Sequence, residues 1–257
     1  MISLRPSDEH DDLCDIVSQY AGALIALSPW SIRTQNTAAS RAALAAALNA
    51  AHVLVTSPNA VRALRDLHAH DRRGAHTLPT VPAAGQRWYA VGAATAAALR
   101  EFGIADALWP ERMDSEGLLA LSQLQSLQDT MVGLLTAPGG RGVLEPALRA
   151  RGAQVLRADI YLREPATLAR HQIERLIALD APAVLALSSG EALQRVLAQL
   201  PAQAIERLRG ARVSAASQRL AELARASGFA DVAVAAGPSA AQLLAGYGER
   251  FGAPGRD

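Results

Sequence analysis

His52-Val53-Leu54-Val55-Thr56-Ser57-Pro58-Asn59 sets an apolar run directly against a helix start. Successive apolar residues bounded by polar ones read as a short strand buried on both faces. The serine and proline that follow suit a helix N-terminus. The hydroxyl accepts from a free backbone N–H, and proline lacks the N–H that would find no partner in the first turn. Similar runs recur at Trp88 to Val91, Val132 to Leu135, Val184 to Leu187 and Val232 to Val234. Each is followed by roughly ten residues with helical spacing. Strands apolar throughout, alternating with helices, predict parallel sheets covered on both faces. The fold class is α/β.

The chain also repeats itself. Tyr89 to Leu119 aligns without a gap onto Ser214 to Leu244, at an offset of 125. Gly103-Ile104-Ala105-Asp106 then falls on Gly228-Phe229-Ala230-Asp231, and Leu118-Leu119-Ala120 on Leu243-Leu244-Ala245. His52 to Ser57 matches Ala183 to Ser188 at an offset of 131. Gly22-Ala23 lies on Gly152-Ala153, which sets Ser31-Ile32-Arg33 over Tyr161-Leu162-Arg163. Alanine-rich helices align readily with one another, but the glycine, aspartate and serine coincidences favour an internal duplication. A duplicated α/β unit implies two similar lobes, with ligands bound beyond the carboxyl ends of the strands.

Composition narrows the chemistry. The chain has 257 residues, 50% apolar and 19% charged, with a net charge of +1, so nucleic acid is not the expected partner. All 25 basic residues are arginine, which excludes a Schiff-base lysine and a phosphate-loop lysine. The one cysteine, Cys14, can form neither an internal disulfide nor a thiolate cluster, and fits a reducing compartment. Met1 to Asp12 carries no apolar leader, and the apolar stretch Ala21 to Leu27 stops at Ser28-Pro29, too short to span a bilayer. A soluble, cytoplasmic protein without membrane contact is expected. No GxGxxG after a strand, GxxxxGK[ST], HExxH or GxSxG occurs.

The residues after each strand are small and polar. They are Thr56-Ser57-Pro58-Asn59, Gly92-Ala93-Ala94-Thr95, Asp114-Ser115-Glu116-Gly117, Ser188-Ser189-Gly190, Ser217-Gln218-Arg219 and Gly237-Pro238-Ser239. Each alone reads as a helix cap. Together, facing one cleft, they would offer free N–H groups and positive dipole ends to an anion. Arg5, Arg141, Arg163 and Arg219 stand nearby in the sequence, so the pattern suits a ligand with several carboxylates. His68, His70 and His76 fall in the polar stretch Leu67 to Thr77, read as a solvated helix end and loop rather than a metal site. No paired carboxylates stand out. Catalysis here would rest on binding, orientation and backbone electrostatics, with no cofactor and no metal.

These strand ends resemble the uroporphyrinogen-III synthase family over essentially the whole chain. The matching pieces are Leu4-Arg5-Pro6, Val53 to Val61, Tyr89 to Ala96, Ser115 to Leu119, Gly140-Arg141, Tyr161-Leu162-Arg163, Ser188-Ser189 and Ser217-Gln218-Arg219, in that order. The resemblance implies two flavodoxin-like parallel-sheet domains joined by a two-stranded linker. One would comprise residues 1–32 plus 165–257, the other the inserted residues 33–164. It implies a monomeric hydro-lyase of haem biosynthesis that takes hydroxymethylbilane, a linear tetrapyrrole polycarboxylate, eliminates water and inverts the last pyrrole through a spiro intermediate. It also implies a transient hand-over of that substrate from the preceding pathway enzyme. Tyr161 matches the tyrosine most implicated in the family and is the one catalytic candidate. A strand tyrosine packing at the linker is the competing reading. Ser57, Gly92, Thr95, Ser115, Ser188, Ser189 and Ser217 carry over as cleft-lining positions, with Arg5 as a substrate contact and Arg141 and Arg219 as substrate contacts or plain surface arginines. Leu220 departs from the pattern, since the second copy lacks the threonine that Thr95 supplies in the first. The rival from another class is a non-catalytic two-lobed binding or sensor domain for a small polycarboxylate. A phospho-receiver would need clustered aspartates and a lysine.

Overall fold

A computed structural model describes residues 1–7, 9–20, 22–71, 78–79, 81–139 and 142–245. In chain order it holds β1 (Ile2–Ser3), α1 (Asp11–Ser18), β2 (Ile25–Ala26), β3 (Trp30–Thr34), α2 (Ala38–Leu48), β4 (His52–Val55) and α3 (Pro58–Asp71). Next come β5 (Arg87–Ala90), α4 (Ala93–Glu101), α5 (Ser115–Ala120), β6 (Met131–Thr136), α6 (Leu144–Ala150), β7 (Gln154–Asp159) and β8 (Tyr161–Pro165). Then follow α7 (Arg170–Ile177), β9 (Val184–Leu187), α8 (Gly190–Leu197), α9 (Ala202–Arg209), β10 (Arg212–Ala215), α10 (Gln218–Ala226), β11 (Val232–Val234) and α11 (Ala240–Leu244). The chain divides into two compact units. Unit 1 is Met1–Ile32 with Glu164–Asp257, and unit 2 is Arg33–Arg163.

Both units are parallel α/β sheets. Unit 2 has the order β5-β4-β6-β7, with Val53 flanked by Trp88 on one side and Gly133 on the other. Unit 1 has the order β11-β10-β9-β1-β2, with Ile2 flanked by Leu185 and Ile25. A separate two-stranded sheet of β3 and β8 carries the chain crossings. The central strands are sealed on both faces: Val53, Leu54 and Val55 are fully buried, as are Leu185 and Leu187. The edge strands escape the apolar pattern. In Gln154–Asp159 only Val155 and Ala158 are buried, and one side of β7 has no strand beside it among the described residues. No helix among the described residues is long and apolar enough to cross a membrane.

The duplication is visible residue by residue. β5 and α4 fall on β10 and α10 at the offset of 125, with no residue gained or lost at either end. Tyr89 bridges Leu108 in unit 2 where Ser214 pairs Ala233 in unit 1, at the same offset. The fifth strand of unit 1 is thus reduced to a single bridge in unit 2. One expectation needs correction. The sequence alignment put Ser57 on Ser188 at an offset of 131. In the structure His52 takes the register position of Val184, and the serine before α3 corresponds to Ser189 before α8, an offset of 132. Strands buried on both faces lack an in–out alternation, so apolar runs match equally well after a slip of one residue.

Helix α2 packs unusually close to its sheet. Its start is fixed by a capping box in which Thr37 accepts from Ser40 N–H and the Ser40 hydroxyl accepts from Thr37 N–H. A Cβ on Gly133 of β6 would lie 2.2 Å from the Ala47 carbonyl oxygen, so only glycine permits this approach. Gly133→Ala is expected to cost about 2 kcal/mol, by displacing backbone rather than a flexible side chain. Thermal denaturation should show the melting temperature lowered by roughly 5 °C. An unchanged melting temperature would mean that α2 can move aside freely.

Candidate active site

In unit 2 the strand ends bring four hydroxyls to the carboxyl edge of the sheet. Ser57 caps α3: its Oγ accepts the Ala60 N–H at 3.2 Å. The Tyr161 phenol oxygen lies 2.9 Å from that same Oγ. Beside them Thr56 Oγ1 lies 3.0 Å from Thr136 Oγ1 and 3.3 Å from the Leu135 carbonyl oxygen. Ile160, the residue before Tyr161, is held at both of its backbone polar groups. Ile160 N–H donates to Thr136 O at 3.0 Å, and Gln35 N–H donates to Ile160 O at 2.8 Å. These bonds set the turn from β7 into β8, so the ring, 5% exposed, ends at the head of β4. Thr136 is a residue of this cluster that the sequence reading does not single out. Its signal was only its place, directly after the apolar run Val132 to Leu135.

The other positions of unit 2 are less open. Gly92 is the N-cap of α4 in extended backbone, and a Cβ there would come 2.9 Å from Met113 Cβ. The Met113 sulfur in turn lies 3.5 Å from Ala93 N, so a thioether occupies this helix N-terminus. Thr95 is 2% exposed. At α5 the cap is Asp114 rather than Ser115. Its Oδ1 accepts Gly117 N–H at 2.8 Å, and its Oδ2 takes the Arg112 Nε–H at 2.6 Å. Ser115 is the first helical residue. A carboxylate therefore already satisfies that helix start.

In unit 1 Ser189 caps α8 through the Ala192 N–H at 3.3 Å, and Ser217 caps α10 through the Leu220 N–H at 3.4 Å. Ser188 is exposed, one residue before the cap. Leu220 and Thr95 occupy equivalent places, and both are buried, so this position is a packing site in each copy. Arg219 is exposed. Arg5 is engaged by Asp12, with its Nη1 at 2.7 and 2.9 Å from the two carboxylate oxygens. Arg141 lies outside the described residues. Among the described residues no cluster of His, Cys, Asp and Glu is placed to hold a metal ion.

One polar cluster had no sequence signal. His10 is buried between two serines, with Nδ1 3.1 Å from Ser3 Oγ and Nε2 2.8 Å from Ser28 Oγ. It ties the end of β1 to the segment leading into β3. Burial pushes its pKa below the ordinary histidine value, and Arg5 adds to this while Glu9, Asp11 and Asp12 oppose it.

With this geometry in place, the comparison with known proteins is direct. Residues 19–245 match the family described as Uroporphyrinogen-III synthase HemD. The chain belongs to the uroporphyrinogen-III synthase family. It is 35% identical over 174 residues to the uroporphyrinogen-III synthase of Salmonella typhimurium, covering 65% of this chain and 68% of that one. To the Escherichia coli uroporphyrinogen-III synthase it is 33% identical over 173 residues, 66% of each. Among solved structures it resembles a mutant uroporphyrinogen III synthase of Thermus thermophilus, with a TM-score of 0.58 at 20% identity over 97% of both chains. A Helicobacter pylori uroporphyrinogen-III synthetase gives a TM-score of 0.59 at 14% identity over 95% of both. At such identities the structures establish the fold, and the sequence matches establish the family.

A buried neutral His10 has a consequence for stability in acid. Its folded pKa lies below the unfolded value of about 6.5, so the unfolded chain binds the extra proton first. The His10 contribution is complete above that value and is lost as the pH falls below it. Melting temperatures measured between about pH 7.5 and 5.5 should decline, and His10→Asn should flatten part of that decline. Parallel pH profiles for the two proteins would mean that His10 has the same pKa folded and unfolded.

Proposed function

We propose that this chain closes hydroxymethylbilane to uroporphyrinogen III, losing water and inverting the terminal pyrrole, and so acts as a hydro-lyase. The observation that carries the reading is the Tyr161 phenol, seated 2.9 Å from the Ser57 hydroxyl at the carboxyl ends of a parallel sheet in a member of this family. The substrate can also cyclise unaided without inversion, so the enzyme's first task is to hold one folded conformation. Within unit 2 the N-terminus of α3, with Arg141 and Arg163, and within unit 1 the N-termini of α8 and α10, with Arg219, each offer contacts to substrate carboxylates. Arg5 orders its own loop through Asp12. In the reacting step the Tyr161 proton passes to the departing hydroxyl as the C–O bond breaks with its electron pair on the new water. The pyrrole nitrogen lone pair replaces those electrons at carbon. The terminal pyrrole attacks that carbon through its substituted α-carbon to give the spiro intermediate. The bond from that α-carbon to its bridging carbon breaks, the bridging carbon re-bonds at the pyrrole's free α-carbon, and the proton shed there restores the phenol.

In this reading the preceding enzyme of the pathway hands the substrate over in the cytoplasm. No cofactor takes part. The alternative of a sensor domain accounts for the capped helices but leaves Tyr161 without a task, and family membership weighs against it.

The test is to incubate the purified chain with freshly made hydroxymethylbilane, oxidise the products and separate the porphyrin isomers. Isomer III should predominate without added metal or cofactor, and Tyr161→Phe should lower kcat by about a hundredfold or more. Isomer I alone, at the spontaneous rate, would overturn the assignment in favour of a binding protein.

A further inference from the structure

We infer that Ser57 is a positioning residue for Tyr161, donating its hydroxyl proton to the phenol oxygen so that the phenol proton is free for the substrate. The inference rests on the acid role given to Tyr161 above. A serine oxygen has one proton and two lone pairs. In Ser57 one lone pair is taken by the Ala60 N–H at 3.2 Å, which leaves its proton and one further lone pair for the phenol oxygen 2.9 Å away. The two directions of that bond differ in consequence. If the phenol donates, its proton is spent on Ser57 and is withheld from the leaving hydroxyl. If Ser57 donates, the phenol proton points elsewhere, and the bond strengthens as negative charge grows on the phenol oxygen. Such a bond stabilises the transition state more than the ground state. The positive end of α3, a 14-residue helix, lies behind Ser57 and favours the second direction.

The duplication supplies an independent comparison. Ser189 stands where Ser57 does and caps its helix in the same way, by accepting an N–H at 3.3 Å. The residue that corresponds to Tyr161 in the other copy is Trp30, which has no hydroxyl: β3 starts at Trp30 as β8 starts at Tyr161, an offset of 131 that corrects the sequence alignment, which set Ser31 there at 130. Its ring is instead covered by the Arg195 guanidinium, 3.9 Å from the ring centre. Capping is thus common to both copies and needs no tyrosine. The serine–phenol bond is an addition found in one copy, and it involves the residue assigned to the chemistry.

The experiment is a double-mutant cycle on the full chain, reading kcat and KM for isomer III formation, with thermal melts alongside. Ser57→Ala is expected to lower kcat at least tenfold with KM within about twofold, and Ser57→Thr, which keeps the hydroxyl, to restore most of it. In the Tyr161→Phe background, Ser57→Ala should cause no further loss. Ser57→Gly keeps a tolerated helix cap, and serves as the hydroxyl-free variant should Ser57→Ala fail to fold. Equal losses in both backgrounds, or a loss confined to KM, would overturn the inference while leaving the synthase activity standing. Wild-type protein yielding only isomer I would remove the proposed function itself. Full kcat in Tyr161→Phe would remove the acid role and this inference with it.

Discussion

Parallel pairing between segments far apart in the chain is the constraint on which everything else rests. Two parallel strands cannot be joined by a tight turn; each needs a crossover, and the crossover helix starts where the strand stops. In unit 2 this lays β4 between β5 and β6, and places Thr56, Ser57 and Thr136 side by side at one edge. Tyr161 reaches the same edge because β7 runs parallel to β6 and turns directly into β8. The hydroxyl cluster is thus a product of sheet topology. No local motif brings Thr136 and Ser57 together; the ladder between Val55 and Leu135 does.

The same logic explains what could be read from the residues alone. Runs such as Val53-Leu54-Val55 and Val132 to Leu135 are legible because they are buried on both faces. β1 and β2 are two residues each, too short to form a run, and β7 is an edge strand with only two buried positions, three residues apart. The serine caps Ser57, Ser189 and Ser217 were legible because capping is local. Asp114 was passed over for its neighbour Ser115, since either can accept an N–H and only the backbone at the helix start decides. The pairing of the copies at β4 and β9 slipped by one residue for want of alternation. His10 between Ser3 and Ser28 depends on folding that brings the end of β1, the start of α1 and the segment before β3 together, and nothing local marks it.

The copies have diverged in an informative way. They agree where packing rules: Thr95 and Leu220 differ in chemistry yet are equally buried. They differ at their strand ends, where Tyr161 meets a serine and Trp30 meets an arginine. They differ again at the sheet margin, where β11 shrinks to the single bridge at Leu108. A thioether, Met113, covers the α4 start, while the matching start of α10 carries a serine cap.

The crossings at β3 and β8 carry a further consequence. Each repeat places its first two strands in one unit and its later strands in the other, so neither repeat, cut free, contains a whole sheet. Two separate copies could complete their sheets only by exchanging strands, as a swapped homodimer does. Joining them in one chain replaces an encounter that depends on concentration with one that does not, at an effective concentration on the order of millimolar for short links. Within one chain the two halves need not be identical, and one carries a phenol where the other carries an indole.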